Sequence, residues 1–283
     1  MQQYLDLCNR VIDEGTWVTN KRTGKRCLTI INADLTYDCS EGYLPVLTTK
    51  KTAWKPAIAE KLGYLRAYTS AAQFRELGAK TWDANSNDNP NWLQSPYRKG
   101  QDDMGSVYGW YGRGFPDREG KRFDQLQKIY TDLKNGYDDR REILTYWHPA
   151  EINRGCLPAC MHTHTFSILD DTLYLTSYQR SADLPLGVPF NMIQVAWFLM
   201  VMAQITGLKA GKAYHKLINV HIYEDQLEIM QKEQLHREPY PLPKLKIDPE
   251  ITTLMALETW VTLKDFELEN YQSHPAIKYP FSV

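Results

Sequence analysis

The chain predicts one domain of mixed α and β structure, and three observations carry that expectation. Apolar residues recur at helical spacing over 54–68 and 123–133. β-Branched and apolar residues dominate 28–37, and a polar Asp170-Asp171 pair separates two strand-like runs. With 283 residues, 43% hydrophobic and 12% aromatic, the chain can fill one large core. No repeat, low-complexity tract or interdomain linker breaks the alternation of elements, so 1–283 reads as a single domain.

Met1-Gln2-Gln3-Tyr4 opens an amphipathic helix, with Leu5, Cys8, Val11 and Ile12 on one face; a signal peptide would need an apolar core there. Leu28 to Tyr37 is a strand and Trp54 to Tyr68 a helix. Asn85 to Asp103, rich in Asn and Pro, predicts a long surface loop or insertion. Phe123 to Leu133 is a second helix, and Thr163 to Leu169 with Thr172 to Gln179 form a hairpin. Met192 to Ile205 is the most apolar stretch, but it is short for a bilayer and carries Gln194 and Gln204. A buried helix is expected, and no membrane span.

The net charge of −1, from 33 basic and 34 acidic residues, argues against nucleic-acid binding driven by bulk electrostatics. A bound phosphate would be met by a few local arginines. The 5 cysteines, an odd number without a secretory leader, point to a reducing cytoplasm. Cys8, Cys27 and Cys39 read as small buried hydrophobes. Cys156 and Cys160 lack a second Cys/His pair at ligand spacing, so no metal is expected.

The chemistry concentrates around Cys160, in Pro158-Ala159-Cys160, and in Tyr178-Gln179-Arg180-Ser181-Ala182-Asp183 and Leu186-Gly187-Val188-Pro189-Phe190-Asn191. A thiolate adds readily to an electron-poor carbon and is more available beside arginines, which lower its pKa. The hairpin would bring Cys160 and Arg180 together. The carboxamide of Asn191 can accept from N3–H of uracil and donate to O4, a pattern that cytosine reverses. Asn191 also has the character of an N-cap for the apolar helix after it.

These motifs resemble thymidylate synthase. The resemblance continues in order through Arg22-Thr23-Gly24, Pro45-Val46-Leu47-Thr48-Thr49-Lys50, Trp82-Asp83, Val107-Tyr108-Gly109 and Asp139-Arg140-Arg141. It then takes in His221-Ile222-Tyr223, Arg237-Glu238-Pro239 and His274-Pro275-Ala276-Ile277-Lys278, and so spans nearly the whole chain. It implies an α+β fold with a large mixed sheet packed against helices, and a homodimer joined sheet to sheet with shared active sites. Arg22, Arg180, Gln179 and Ser181 would bind dUMP within one subunit, with Arg140 and Arg141 reaching in from the partner; guanidinium forks suit phosphate oxygens. His221 and Tyr223 would hold the 3′-hydroxyl.

The activity implied is reductive methylation of dUMP to dTMP with 5,10-methylenetetrahydrofolate, releasing dihydrofolate, through a Cys160 adduct at uracil C6. Glu60 would organise water and relay protons. Asp183 would orient the pterin, Tyr108 belongs to the cavity, Trp82 would shield the intermediate, and Ser282 in the closing tail Tyr279–Val283 would lie near the folate. Binding of the chain's own messenger RNA is implied by family analogy alone. Departures cluster on the folate side: Met161 follows the nucleophile in place of His, Gly63 replaces a frequent Trp, Asn85 a second Trp, Tyr111-Gly112-Arg113 the usual Gln-Trp-Arg, and Ala53 a His. They leave two alternatives, a dUMP hydroxymethylase in which water captures the methylene and a non-catalytic nucleotide- or RNA-binding homologue.

Overall fold

The computed structural model describes residues 1–21 and 24–281. The chain opens with helix α1 (Gln2–Glu14) and strands β1 (Thr16–Thr19) and β2 (Arg26–Asp38). Five helices follow, α2 (Trp54–Leu65), α3 (Ala71–Leu77), α4 (Asp83–Asn87), α5 (Pro90–Leu93) and α6 (Gly109–Gly112). Then come β3 (Phe115–Pro116), β4 (Arg122–Phe123), α7 (Gln125–Lys134), β5 (Ile143–Thr145), β6 (Met161–Leu169) and β7 (Thr172–Asp183). The last third holds α8 (Gly187–Thr206), β8 (Lys209–Tyr223), α9 (Glu224–Lys232), β9 (Lys244–Ile247), α10 (Leu254–Glu258) and β10 (Phe266–Glu269).

Six strands form one mixed sheet in the order β1-β2-β8-β7-β6-β5. Only β7 and β8 run parallel, and α8 is the crossover between them, since parallel neighbours need a return path of a dozen residues or more. Apolar nearly all round, α8 is enclosed between the sheet and α2. Among the described residues it is the one helix long and apolar enough to cross a membrane, and it is instead core. Gly207, at φ 78°, ends it in the left-handed conformation that glycine adopts without strain, and β8 begins two residues later.

The hairpin forms as expected, with Asp170 at φ 54° in its turn, and runs four residues further along β7 to Asp183. Two local expectations are corrected. The 85–103 stretch contains the end of α4 and all of α5: Asn89 accepts from the Asn91 amide at 3.1 Å ahead of Pro90 in the first helical position. Residues that signal a loop also start helices. The segment is tied down by Arg75, which forks onto Asp102 at 2.9 and 2.7 Å, and by Trp92, buried with its indole donating to the Asp103 carbonyl. Asn191 is not the N-cap of α8. The helix starts at Gly187 with Leu186 in the cap position, and Pro189 sits in the first turn, where a missing N–H costs nothing.

At Gly63 a Cβ would fall 2.3 Å from the ring of Phe74, so this α2 position has no room for a side chain. The space beside Gly63 is taken by Phe74, which packs edge-on to Tyr64 at 5.8 Å. Gly63→Ala is expected to cost about 1–3 kcal/mol by overpacking, and Phe74→Leu in the same chain to recover at least part of that loss. Urea denaturation of the single and double variants checks it; additive losses would refute the steric account.

Candidate active site

The Pro158–Cys160 loop enters β6, and Arg180 on β7 fastens it. The Arg180 amide donates to the Cys160 carbonyl at 2.8 Å, Nε to the Ala159 carbonyl at 3.0 Å and one terminal nitrogen to the Pro158 carbonyl at 2.9 Å. That nitrogen also lies 3.9 Å from the Cys160 sulfur. The guanidinium stacks over Trp147, 5.4 Å from the ring centroid. A fixed positive charge beside a partly exposed thiol favours the thiolate.

Tyr108 holds the loop from behind. Its φ of 27° is a strained value for a side-chain-bearing residue, of the kind that collects at functional sites. Its phenol oxygen accepts the Cys160 amide at 2.9 Å, its ring stacks on Tyr64 at 4.3 Å, and Trp82 closes the cluster at 5.9 Å. Burial, with smaller contributions from the negative charges of Cys160 and Glu60, pushes the Tyr108 phenol well above its ordinary range, so it is a neutral donor.

Glu60 and Asn191 are joined through a residue that the motifs did not pick out. Gln194 donates to Glu60 Oε2 at 2.6 Å and to the Ala57 carbonyl at 3.2 Å, and its own oxygen accepts from Asn191 Nδ2 at 3.2 Å. On the other side, Gln179 Nε2 donates to Asn191 Oδ1 at 3.0 Å and to the Ser181 carbonyl at 2.8 Å. The signal for Gln194 was present in the sequence. An amide three residues after Asn191 in an apolar helix shares its face. Desolvation raises the Glu60 pKa, opposed by hydrogen bonds from Thr81 and Gln194, which suits a group that takes up and returns protons.

Asp183, at the end of β7, accepts from the Leu186 amide at 3.2 Å and from Gln226 at 3.4 Å. Burial lifts its carboxyl to about 6. Lys50, mostly buried, donates to the Pro185 carbonyl at 2.5 Å and stands over the Tyr279 ring at 4.7 Å; burial lowers it to about 8. Gln226 also donates to the Pro280 carbonyl at 3.0 Å, and Tyr279 to Gln234 at 2.7 Å. The described part of the tail is therefore docked beside Asp183. His221 and Tyr223 meet edge-on at 5.3 Å, and the His221 carbonyl accepts the Leu184 amide at 3.0 Å.

Cys160, Tyr108, Glu60, Trp82, Gln179, Arg180, Ser181, Asp183, Asn191, His221 and Tyr223 thus belong to linked or adjoining elements. Arg140 and Arg141 do not join them within the chain. The Glu142 carbonyl accepts from the Phe166 amide at 2.9 Å, six residues along β6 from Cys160, which puts the arginine pair roughly 20 Å away at strand rise. Arg22 and Ser282 lie outside the described residues. Of the departures, Met161 is buried at the start of β6 and Tyr111 is buried, so these side chains turn into the fold; the neighbouring Arg113, which keeps the common pattern, pairs with Asp124 at 2.6 Å and Glu258 at 2.5 Å.

The family model described as thymidylate synthase matches residues 2–283. The chain is 63% identical to the thymidylate synthase of Pasteurella multocida (strain Pm70) over 283 residues, 100% of both chains. It is 64% identical to that of Histophilus somni (strain 2336) and 63% identical to that of Haemophilus influenzae (strain PittGG), again over 100% of each chain.

Asp183 gives a pH test. Its folded pKa, about 6 against an ordinary 3.8, means that ionisation works against folding. The penalty is absent below the unfolded pKa and fully present above the folded one. Asp183→Asn should therefore stabilise the protein by about 1–2 kcal/mol at about pH 7, a discounted value for a carboxyl partly open to solvent, and give no gain near about pH 3. Denaturation at both pH values measures this, and an equal change at the two would contradict it.

Proposed function

The chain belongs to the thymidylate synthase family, and from that premise we propose which of its residues carry the reaction. It is a methyltransferase that makes dTMP from dUMP, and the family implies a folate co-substrate. Cys160 is the nucleophile, adding through sulfur to C6 of the uracil and leaving at the end. Arg180 and Ser181 bind the phosphate with Arg22, and Asn191, oriented by Gln179 and Gln194, reads N3–H and O4. His221 and Tyr223 hold the sugar hydroxyl.

5,10-Methylenetetrahydrofolate supplies the carbon and then a hydride, leaving as dihydrofolate. Asp183 orients its pterin and Ser282 lies near it. Glu60 relays protons to and from the base, and Tyr108 fixes the nucleophile's loop and offers a neutral phenol to the site. Trp82, packed against Tyr64 and Tyr108, excludes water from the methylene-bearing intermediate. No resident metal is needed for these steps. The observation that carries the reading is the clamp of Arg180 on the Cys160 loop beside the Glu60–Gln194–Asn191 chain.

A homodimer completes the site. The outer sheet face exposes Ile31, Tyr178, Tyr214 and Ile218, and a second copy of the chain would cover it. Arg140 and Arg141, too far from their own Cys160, would then serve the partner's. The cytoplasm is the setting. Neither hydroxymethylation nor a non-catalytic role is favoured, because the full-length relatives are named as synthases. Messenger RNA binding rests on the family alone.

Incubating the protein with dUMP and 5,10-methylenetetrahydrofolate should yield dTMP and dihydrofolate together, followed by absorbance and mass spectrometry, and Cys160→Ser should lose roughly a thousandfold or more. Hydroxymethyl-dUMP with tetrahydrofolate would overturn the synthase reading. For the shared site, Cys160→Ala and Arg141→Ala chains, each inactive alone, should regain about a quarter of wild-type activity when mixed equally and refolded, since half the dimers are then mixed and each has one whole site. No recovery would refute action across the interface.

A further inference from the structure

Beneath the site lie two buried polar side chains, Tyr37 and His215, to which the reaction as described assigns no role. On the inner sheet face, Tyr37 of β2 and His215 of β8 meet at 3.0 Å between the phenol oxygen and Nδ1. His215 Nε2 lies 2.8 Å from Gln179 Oε1. Tyr37, His215 and Gln179 are all buried. Gln179 then reaches Asn191, Asn191 reaches Gln194, and Gln194 reaches Glu60.

The direction of every bond in this chain can be assigned. The Ala57 carbonyl only accepts, so Gln194 must turn its nitrogen to it and to Glu60 beside it, and its oxygen to Asn191. At the other end the Ser181 carbonyl only accepts, so Gln179 gives it Nε2 and offers Oε1 to His215. His215 must then donate from Nε2 and accept at Nδ1, and the Tyr37 hydroxyl is the donor it needs. Burial depresses the His215 pKa to about 3, so the ring is neutral and one tautomer satisfies both partners.

We infer that Tyr37 and His215 are positioning residues for base selectivity, which lock the amide of Asn191 with oxygen toward N3–H and nitrogen toward O4 by acting through Gln179. The inference rests on the proposed role of Asn191 in reading uracil. An Asn191 amide rotated by half a turn would present the reverse pattern, which is that of cytosine. Rotation sets two oxygens against each other at Gln194 and two N–H groups at Gln179, and if Gln179 turns to relieve the second, His215 meets an N–H where it is itself a donor. Two buried donors face each other, and that penalty disfavours the cytosine-reading state. Since the phosphate and sugar of dUMP and dCMP are the same, the ratio of their affinities isolates this term.

Calorimetric titration of the full-length protein with dUMP and with dCMP, without folate, tests it. Wild type should prefer dUMP. His215→Phe should reduce the dUMP-to-dCMP affinity ratio about tenfold, and Tyr37→Phe, which frees the tautomer but leaves Gln179 held by Ser181, about threefold. His215→Gln, which keeps an N–H in reach of Gln179, should restore most of the selectivity. A purely structural role would weaken both nucleotides alike and leave the ratio unchanged. If His215→Phe does not fold, Tyr37→Phe decides, because it deletes only a hydroxyl. A wild type that discriminates while the folded variants discriminate equally well overturns the relay alone. A wild type that binds both nucleotides equally overturns the base-reading role of Asn191 and the relay with it.

Discussion

The site depends first on one residue, Arg180, because three of its N–H groups fasten the loop that carries Cys160, the proposed nucleophile. A guanidinium has five N–H donors in a rigid plane, so two can be spent on carbonyls while others remain for an anion and for the thiol. The amide bond to Cys160 adds the sheet's own rigidity. Such an arrangement requires β7 to lie beside the loop in a fixed register, and β6 must end in a way that lets the loop turn back. Both are met by a bulge: Met161 pairs with Gln179 but Thr163 with Tyr178, leaving an extra residue on β6. That extra residue explains why Met161 and His164, an odd number apart, both face the core.

The inner sheet face is unusual in being polar where it is deepest. Ser177 and His215 are level on parallel strands, and His164 pairs with Ser177 at 2.7 Å between ring nitrogen and hydroxyl. Lys61 from α2 reaches His164 at 2.8 Å and Tyr146 at 3.2 Å and lies 4.2 Å from the Phe198 ring centroid. Burial lowers this lysine to about 7. Apolar side chains of the same volume would be cheaper to bury, because each polar group here must find its partner or cost about 1–3 kcal/mol. What polar groups add is direction. A hydrogen-bond chain can define which end of an amide faces the base, and van der Waals packing cannot.

The legible parts of the fold were those set by neighbours in sequence. The hairpin was visible from Asp170-Asp171 between two β-rich runs, and most of α8 from the predominantly apolar stretch Met192 to Ile205. Adjacency of Cys160 and Arg180 followed from the hairpin alone. Other features depend on groups far apart in the chain. Gly63 read as a loss on the folate side because nothing local says that Phe74 fills its space. Asn85 to Asp103 looked like a loop because Asn and Pro both break and begin helices, and only the ties to Arg75 show which they do here. Tyr37 and His215 lie 178 positions apart, and no period or spacing connects them. Lys50 stood within a recognised motif, yet its place under Tyr279 needed the folded tail.

That tail joins two functions that the sequence treated separately. Gln226 donates from one nitrogen to both Asp183 and the Pro280 carbonyl, while Lys50 faces Tyr279 and feels the charge of Asp183. Burial raises the acid and lowers the base, so desolvation draws the pair toward their neutral forms. A pterin donating to the Asp183 carboxylate would favour its ionised form, and the ionised form in turn holds Gln226 and the Lys50 ammonium more firmly. Those two residues are the ones that grip the tail. With a pterin at Asp183, as proposed, its binding and the docking of Tyr279 and Pro280 would favour the same protonation state of this aspartate.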